Sequence, residues 1–277
     1  MEIGFIGIGQ MGRHMARRLV EAGFSLVVYD VNREAVAPCE KMGAVVADSP
    51  AAVASSCGVV FSSLPTPPII SDMVFGRDGL SSGWKKGDIY VDMSTNSPSI
   101  IREIAAAGEE KGVAVLDAPV SGGVAGADAG TLTIMVGGDE AALEKVKPMF
   151  EAMGKKIIRV GDAGCGNVAK LTNNMISLGC NSISAEGFVL GVKAGIDPQA
   201  LWDIISSSTG DNWCMRQFPK TTFQGNFEPG FRMSLAYKDI NLALELGREN
   251  GVPLPVAESV RQDMQATMEA GFADKGV

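Results

Sequence analysis

The sequence predicts an α/β fold: a mostly parallel sheet layered with helices, followed by an all-α C-terminal domain joined to it by a long helix. Three observations carry this expectation. Up to Gly161, short β-branched runs alternate with amphipathic stretches, as strand–helix–strand crossovers require. Beyond it the pattern turns helical and stays so. Between the two regions, 167–193 holds no proline and keeps Val168, Leu171, Met175, Leu178 and Ile183 at helical spacing. At 1.5 Å per residue such a helix runs roughly 40 Å. A chain of 277 residues exceeds one typical domain of roughly 100–200. Two domains are expected, 1–163 and 164–277, with the boundary in the glycine-rich stretch 161–166.

Taken in order, the strands are expected at 3–8, 25–29, 59–63, 88–92, 114–117, 131–136 and 156–160. Helices fit between most of them, for example at 11–22, 98–111 and 140–153. The C-terminal helices are broken at Asp197-Pro198, Glu228-Pro229-Gly230 and Pro253-Leu254-Pro255. No internal repeat or low-complexity segment interrupts the pattern.

A net charge of −8 argues against nucleic acid as a partner, which needs clustered Lys and Arg. No run reaches the ~18 consecutive apolar residues of a membrane span. The N-terminus enters a strand at once, without a signal-peptide pattern. The five cysteines (Cys39, Cys57, Cys165, Cys180, Cys214) are widely spaced and form no C-x-x-C pair. They read as reduced thiols of a cytoplasmic protein, with neither disulfide framework nor metal site.

Gly7-Ile8-Gly9-Gln10-Met11-Gly12 is a G-x-G-x-x-G pattern. Alone it is weak, but here it follows an apolar strand, opens a helix and precedes a second strand that ends in Asp30. Gly7 suits the tight turn, Gly9 a close approach of pyrophosphate, and Gly12 the packing of helix on sheet. Asp30 suits the adenosine ribose hydroxyls. The first domain is therefore expected to be a Rossmann-type dinucleotide-binding domain with NAD as cofactor. Arg33, close to Asp30, leaves NADP open.

Hydride transfer to a carbonyl needs a group that gives or takes the hydroxyl proton. The single histidine, His14, lies in the first turn after the glycine loop and reads as a solvated side chain. None of Tyr29, Tyr90 and Tyr237 has a lysine four residues on. Lysine or a carboxylate remains. Lys170 is the best candidate, because Asn167 and Asn174 share its helix face. By spacing alone, a solvated surface lysine is the plainer reading.

Four separated segments together resemble the β-hydroxyacid dehydrogenases, the group containing 3-hydroxyisobutyrate dehydrogenase, tartronate semialdehyde reductase and 2-(hydroxymethyl)glutarate dehydrogenase. They are Gly4-Phe5-Ile6-Gly7-Ile8-Gly9-Gln10-Met11-Gly12, Asp117-Ala118-Pro119-Val120-Ser121-Gly122-Gly123, the segment 164–174, and Lys238-Asp239. The resemblance implies an oxidoreductase that moves a hydride between NAD(H) and a small β-hydroxy acid or its semialdehyde. It implies Lys170 as general acid/base and Asn174 as the residue orienting substrate. Ser121, Gly122 and Gly123 would bind the substrate carboxylate. Lys238 would lie near nicotinamide and substrate, with Asp239 steadying it. Gly7, Gly9, Gln10, Met11, Gly12, Asp30, Leu64, Pro65, Ser94 and Thr95 would line the cofactor.

Trp213, within Gly210-Asp211-Asn212-Trp213, fits either a wall of the substrate pocket or a core or interface position. Arg232 fits a second acidic group of the substrate, or more plainly the surface. Family members usually continue into a further helix, so the resemblance leaves the last part of the helical domain in doubt. Met175, Ile176, Phe188, Val189 and Leu190 give the long helix more apolar surface than one small domain can cover. A homodimer or homotetramer is therefore expected. Imine reduction on the same scaffold is the competing enzymatic reading, and the presence of Lys170 argues against it. A cofactor-sensing module without turnover is the non-enzymatic one.

Overall fold

A computed structural model describes residues 2–228 and 230–277. Met1 and Pro229, the latter within one of the expected helix breaks, lie outside the described residues. The chain divides into two compact units, Met1–Lys170 and Leu171–Val277, and the division falls within the long helix.

The first unit carries strands β1 (Glu2–Ile6), β2 (Ser25–Tyr29), β3 (Val45–Val46), β4 (Val59–Ser62), β5 (Ile89–Asp92), β6 (Ala114–Asp117), β7 (Val120–Ser121), β8 (Leu132–Gly137) and β9 (Gly154–Gly161). Its helices are α1 (Gly12–Glu21), α2 (Arg33–Lys41), α3 (Pro50–Ser56), α4 (Pro67–Phe75), α5 (Pro98–Lys111), α6 (Gly123–Ala129) and α7 (Glu140–Met153). Strand order in the sheet is β3-β2-β1-β4-β5-β6-β8-β7, with β9 also on β8. The first six strands run parallel, and β8 is antiparallel to β6 and β7 but parallel to β9. The order reverses between β1 and β4, the place where a doubly wound sheet opens its crevice.

Both faces of the sheet are covered along β1, β4, β5 and β6, so these strands are apolar on both sides. Along β4, Val59 and Phe61 face one core with Met15, Leu19 and Phe150, while Val60 faces the other with Val53, Ile70 and Ile104. Helix starts follow local chemistry. The Ser49 hydroxyl accepts from Ala52 N at 3.1 Å, the Asp139 carboxylate from Ala142 N at 2.8 Å, and Pro98 occupies the first turn of α5.

The second unit is helical: the rest of α8 (Cys165–Lys193), then α9 (Pro198–Ser206), α10 (Met233–Glu249) and α11 (Pro255–Thr267). Asp197 caps α9 by accepting from Gln199 N and Ala200 N, so the Asp-Pro break starts a helix as well as ending a loop. Leu178 packs with Ala236 and Ile240 of α10 and Val260 and Met264 of α11. Phe188 packs with Leu201, Met215 and Phe218, the two rings meeting edge to face at 5.0 Å. Phe188 is therefore core, not the exposed surface expected for it, and Met175 packs against the α10–α11 cluster. Ile176, Val189 and Leu190 are exposed as expected, at 59%, 62% and 72%, together with Ile183. By length and composition α8 is the one helix among the described residues able to cross a membrane. Here it is the spine of a helical unit that buries Leu171, Leu178 and Phe188.

Candidate active site

The glycine loop runs from the end of β1 into α1. Gly7 has φ +91° and donates its N–H to Tyr29 O at 2.9 Å, closing the turn against β2. A Cβ on Gly12 would stand 1.9 Å from Gly7 O, so only glycine lets the helix start there. A Cβ on Gly9 would meet nothing within 4 Å. The backbone there borders open space, α1 begins without a side-chain cap, and Gly9 and Gln10 are exposed. That is a cradle a phosphate group fits.

Asp30 follows β2. Its Oδ2 accepts from Ile8 N at 2.7 Å and its Oδ1 from Asn32 N at 2.8 Å, so the carboxylate also fixes the glycine loop. Arg33 points to Ala47 O at 3.4 Å and Asp48 at 3.8 Å. Leu64 and Pro65 follow β4, and Ser94 and Thr95 follow β5, with Leu64 N donating to Ser94 Oγ at 2.9 Å. Apart from Lys238, which lies on α10 of the second unit, the cofactor residues expected from sequence are at the carboxyl ends of β1, β2, β4 and β5, and these fit a bound dinucleotide.

A buried polar network underlies them. Asp92, at the end of β5, accepts from Ser62 Oγ (3.0 Å), Ser94 N (3.0 Å) and Asn96 Nδ2 (3.1 Å). Burial raises its pKa against the pull of those hydrogen bonds. Tyr90, also buried, shares the Ser62 hydroxyl at 2.8 Å. Asp117, at the end of β6, accepts from Gly164 N (2.8 Å), Asn167 N (2.6 Å) and Asn167 Nδ2 (3.2 Å). Burial pushes its carboxyl up to about 6 despite those N–H groups, with the charge of Asp92 adding to the rise.

Ser121, Gly122 and Gly123, expected to bind the substrate carboxylate, lie where a short strand passes into a helix. Ser121 ends β7, paired with Thr133, and Gly122 leads directly into α6. Gly122 (φ +131°) and Gly123 (φ +61°) hold backbone angles that favour glycine, and both are exposed. Lys170 is half-buried on α8, one turn from Asn167 on one side and Asn174 on the other. In the second unit Asn174 Nδ2 donates to Asp239 Oδ2 at 2.6 Å, and Lys238 Nζ lies 2.9 Å from Asp239 Oδ1. Asn174, Lys238 and Asp239 thus form one group, in which Asn174 and Asp239 are buried and Lys238 is half-buried.

His14 is not solvated. Its Nδ1 is 2.8 Å from Asp128 of α6, with only 17% of the side chain exposed. Trp213 is 72% exposed, so it is no core residue. Arg232 lies 3.8 Å from Asp274 and is partly exposed, in keeping with the surface reading. The last residues fold back on the segment before α10, with Val277 N donating to Phe231 O at 3.0 Å and Met233 N to Lys275 O at 2.9 Å. Sequence reasoning gave no role to Asp117, Asp92 or Asn96. The hints were an aspartate closing each of two apolar strands and the place of Asp117 at the head of a family segment.

Two family models match the chain. Residues 2–161 match the NAD-binding domain of 6-phosphogluconate dehydrogenase, and 164–277 match the NAD-binding model of NADP-dependent 3-hydroxyisobutyrate dehydrogenase. The 2-(hydroxymethyl)glutarate dehydrogenase of Eubacterium barkeri is 43% identical over 98% of this chain and 91% of its own. The 3-hydroxyisobutyrate dehydrogenase of Pseudomonas aeruginosa is 38% identical over 100% and 95%. Among solved structures, Mycobacterium tuberculosis 3-hydroxyisobutyrate dehydrogenase with L-serine superposes with a TM-score of 0.92. It shows 34% identity and covers 99% of this chain and 96% of its own.

Proposed function

The chain belongs to the β-hydroxyacid dehydrogenase family, and from that membership we propose that it interconverts a small β-hydroxy acid and its semialdehyde, with Lys170 as general acid/base. It is an NAD(P)-dependent oxidoreductase. When bound, the reduced cofactor supplies the hydride. The glycine loop from Gly7 to Gly12, with Gln10 and Met11, holds the pyrophosphate, and Leu64, Pro65 and Thr95 line the rest. Asp30 takes the ribose hydroxyls, and with Arg33 leaning on Asp48 the preference goes to NAD.

As the carbonyl oxygen gains negative charge, the Lys170 ammonium neutralises it and passes it a proton. In the reverse direction the neutral amine takes the hydroxyl proton. Ser121, Gly122 and Gly123 hold the substrate carboxylate. Asn174 has a second amide hydrogen besides the one on Asp239 and offers it to a substrate oxygen. Lys238, held by Asp239, supplies positive charge for an acidic substrate.

One observation carries the assignment: Lys170 is half-buried between two asparagines, each tied to a buried aspartate. Lys170→Ala should lower kcat at least ~10²-fold while Kd for NADH stays within about threefold. Lys170→Arg should rescue poorly, because a guanidinium keeps its proton near neutral pH. A Lys170→Ala protein within about threefold of the parent kcat would discard the assignment.

The exposed Ile176, Ile183, Val189 and Leu190 support a homodimer or homotetramer formed through the helical unit. Light scattering at micromolar concentration should show more than one chain per particle, and a monomer would refute it. All five cysteines are free thiols, which suits the reducing cytoplasm.

A further inference from the structure

We propose that Asp117 is a positioning residue for Lys170, setting the register of the first turn of α8; this rests on the reading of Lys170 as proton donor. The helix starts in an unusual way. Gly164 occupies its N-cap position with φ +93°, which favours glycine and so gives up a capping side chain. In a capping box, the N-cap and third residues satisfy each other's backbone N–H groups. Here both N–H groups, of Gly164 and Asn167, go to the two oxygens of Asp117, reached from the end of β6. The Asn167 amide donates to the same carboxylate at 3.2 Å, and Asn167 Oδ1 accepts from Asn96 N at 2.7 Å.

Close packing leaves the carboxylate no other place. A Cβ on Gly137 would stand 2.3 Å from Asp117 Oδ1, and one on Gly166 would stand 2.9 Å from Oδ2. A neutral cap would be cheaper to bury. A buried anion gives shorter, stiffer bonds instead. Lys170 lies one turn beyond Asn167 on the same face, so any displacement of Asn167 is passed to its ammonium. An error of about 1 Å in a reacting geometry can cost as much as 10²-fold in rate.

The test compares Asp117→Asn with the parent and with Lys170→Ala, in semialdehyde reduction with NADH and with NADH deuterated at C4. Asparagine keeps the shape but turns one oxygen into a donor that faces the Asn167 N–H. Asp117→Asn should lower kcat about tenfold or more, with KM and the NADH Kd within about threefold. The deuterium isotope effect on kcat should rise, because the chemical step becomes slower. A purely structural role would lower the fraction of active enzyme and leave the isotope effect unchanged. That result, or a kcat within about twofold of the parent, overturns the inference. If Asp117→Asn fails to fold, Asn167→Ala removes the side-chain part of the cap, its amide on Asp117 and its oxygen on Asn96 N, while the backbone N–H groups stay on the carboxylate. A smaller fall in kcat with the same rise in the isotope effect is then expected, and no change in either overturns the inference. If Lys170→Ala keeps its activity, the reading of Lys170 fails and takes this inference with it. If Lys170→Ala is inactive and Asp117→Asn is not, only this inference falls.

Discussion

Asn167 and Asn174 flank Lys170 on one helix, and each gives its side-chain amide to a buried aspartate, yet the two aspartates are held by different means. Asp239, in the helical unit, has the Lys238 ammonium at 2.9 Å as well as Asn174. Asp117, in the sheet unit, draws on two backbone N–H groups at the start of α8 and on Asn167. On α10 the cation is the residue just before the anion. Where a strand end meets a helix start, oriented peptide groups stand in for it. The first arrangement is lost when its carboxylate is removed. The second is costly while intact, which is why the Asp117 carboxyl stands at about 6.

The largest effect should follow from breaking the ion pair. Asp239→Ala takes the carboxylate from Lys238, whose side chain is 16% exposed, and the acceptor from the Asn174 amide. A loss of about 3 kcal/mol in unfolding free energy is expected, read from urea denaturation. A loss below about 1 kcal/mol would mean that the pair is no more valuable than one on the surface.

Asp117 gives the opposite signature, a dependence on pH. Its carboxyl holds a proton more tightly in the folded protein than in the unfolded chain, where the ordinary value is 3.8. Stability is therefore full below about 4 and falls as pH rises through about 6, by roughly 3 kcal/mol at most. Asp92, raised by burial as well, adds to the fall in the same direction. Asp117→Asn should flatten this slope between pH 4 and 7, leaving the part due to Asp92. Equal slopes in parent and variant would show that the carboxylate is already satisfied when charged.

Much of this arrangement was legible in the sequence, and the remainder was hidden for identifiable reasons. The helices Pro98–Lys111 and Glu140–Met153 and the strands Ser25–Tyr29 and Ala114–Asp117 have the bounds that periodicity and punctuation predict. β3 and β7, two residues each, are too short to show alternation. α6 is absent from the expected helices because Gly123 and Gly126 lower its helical propensity, yet packing of Ala127 in the core holds it. The family motifs pointed to Lys170, Asn174 and the glycine loop. They did not reveal what Asp117 does, because its partners lie 47 and 50 residues further along the chain. Spacing rules report neighbours on one element, and this contact joins two.

The bond from Ile8 N to Asp30 has a consequence for coenzyme choice. The phosphate-binding turn is already ordered by a residue of the neighbouring strand end, so association need not spend chain entropy in arranging it. On the proposed reading of Asp30, preorganisation and discrimination reside in one side chain. Redesign toward a 2′-phosphate by deleting the carboxylate would also release the turn, weakening the grip on either dinucleotide. Asparagine at position 30 would keep an acceptor for Ile8 N while giving up the charge, and in that variant the two traits come apart.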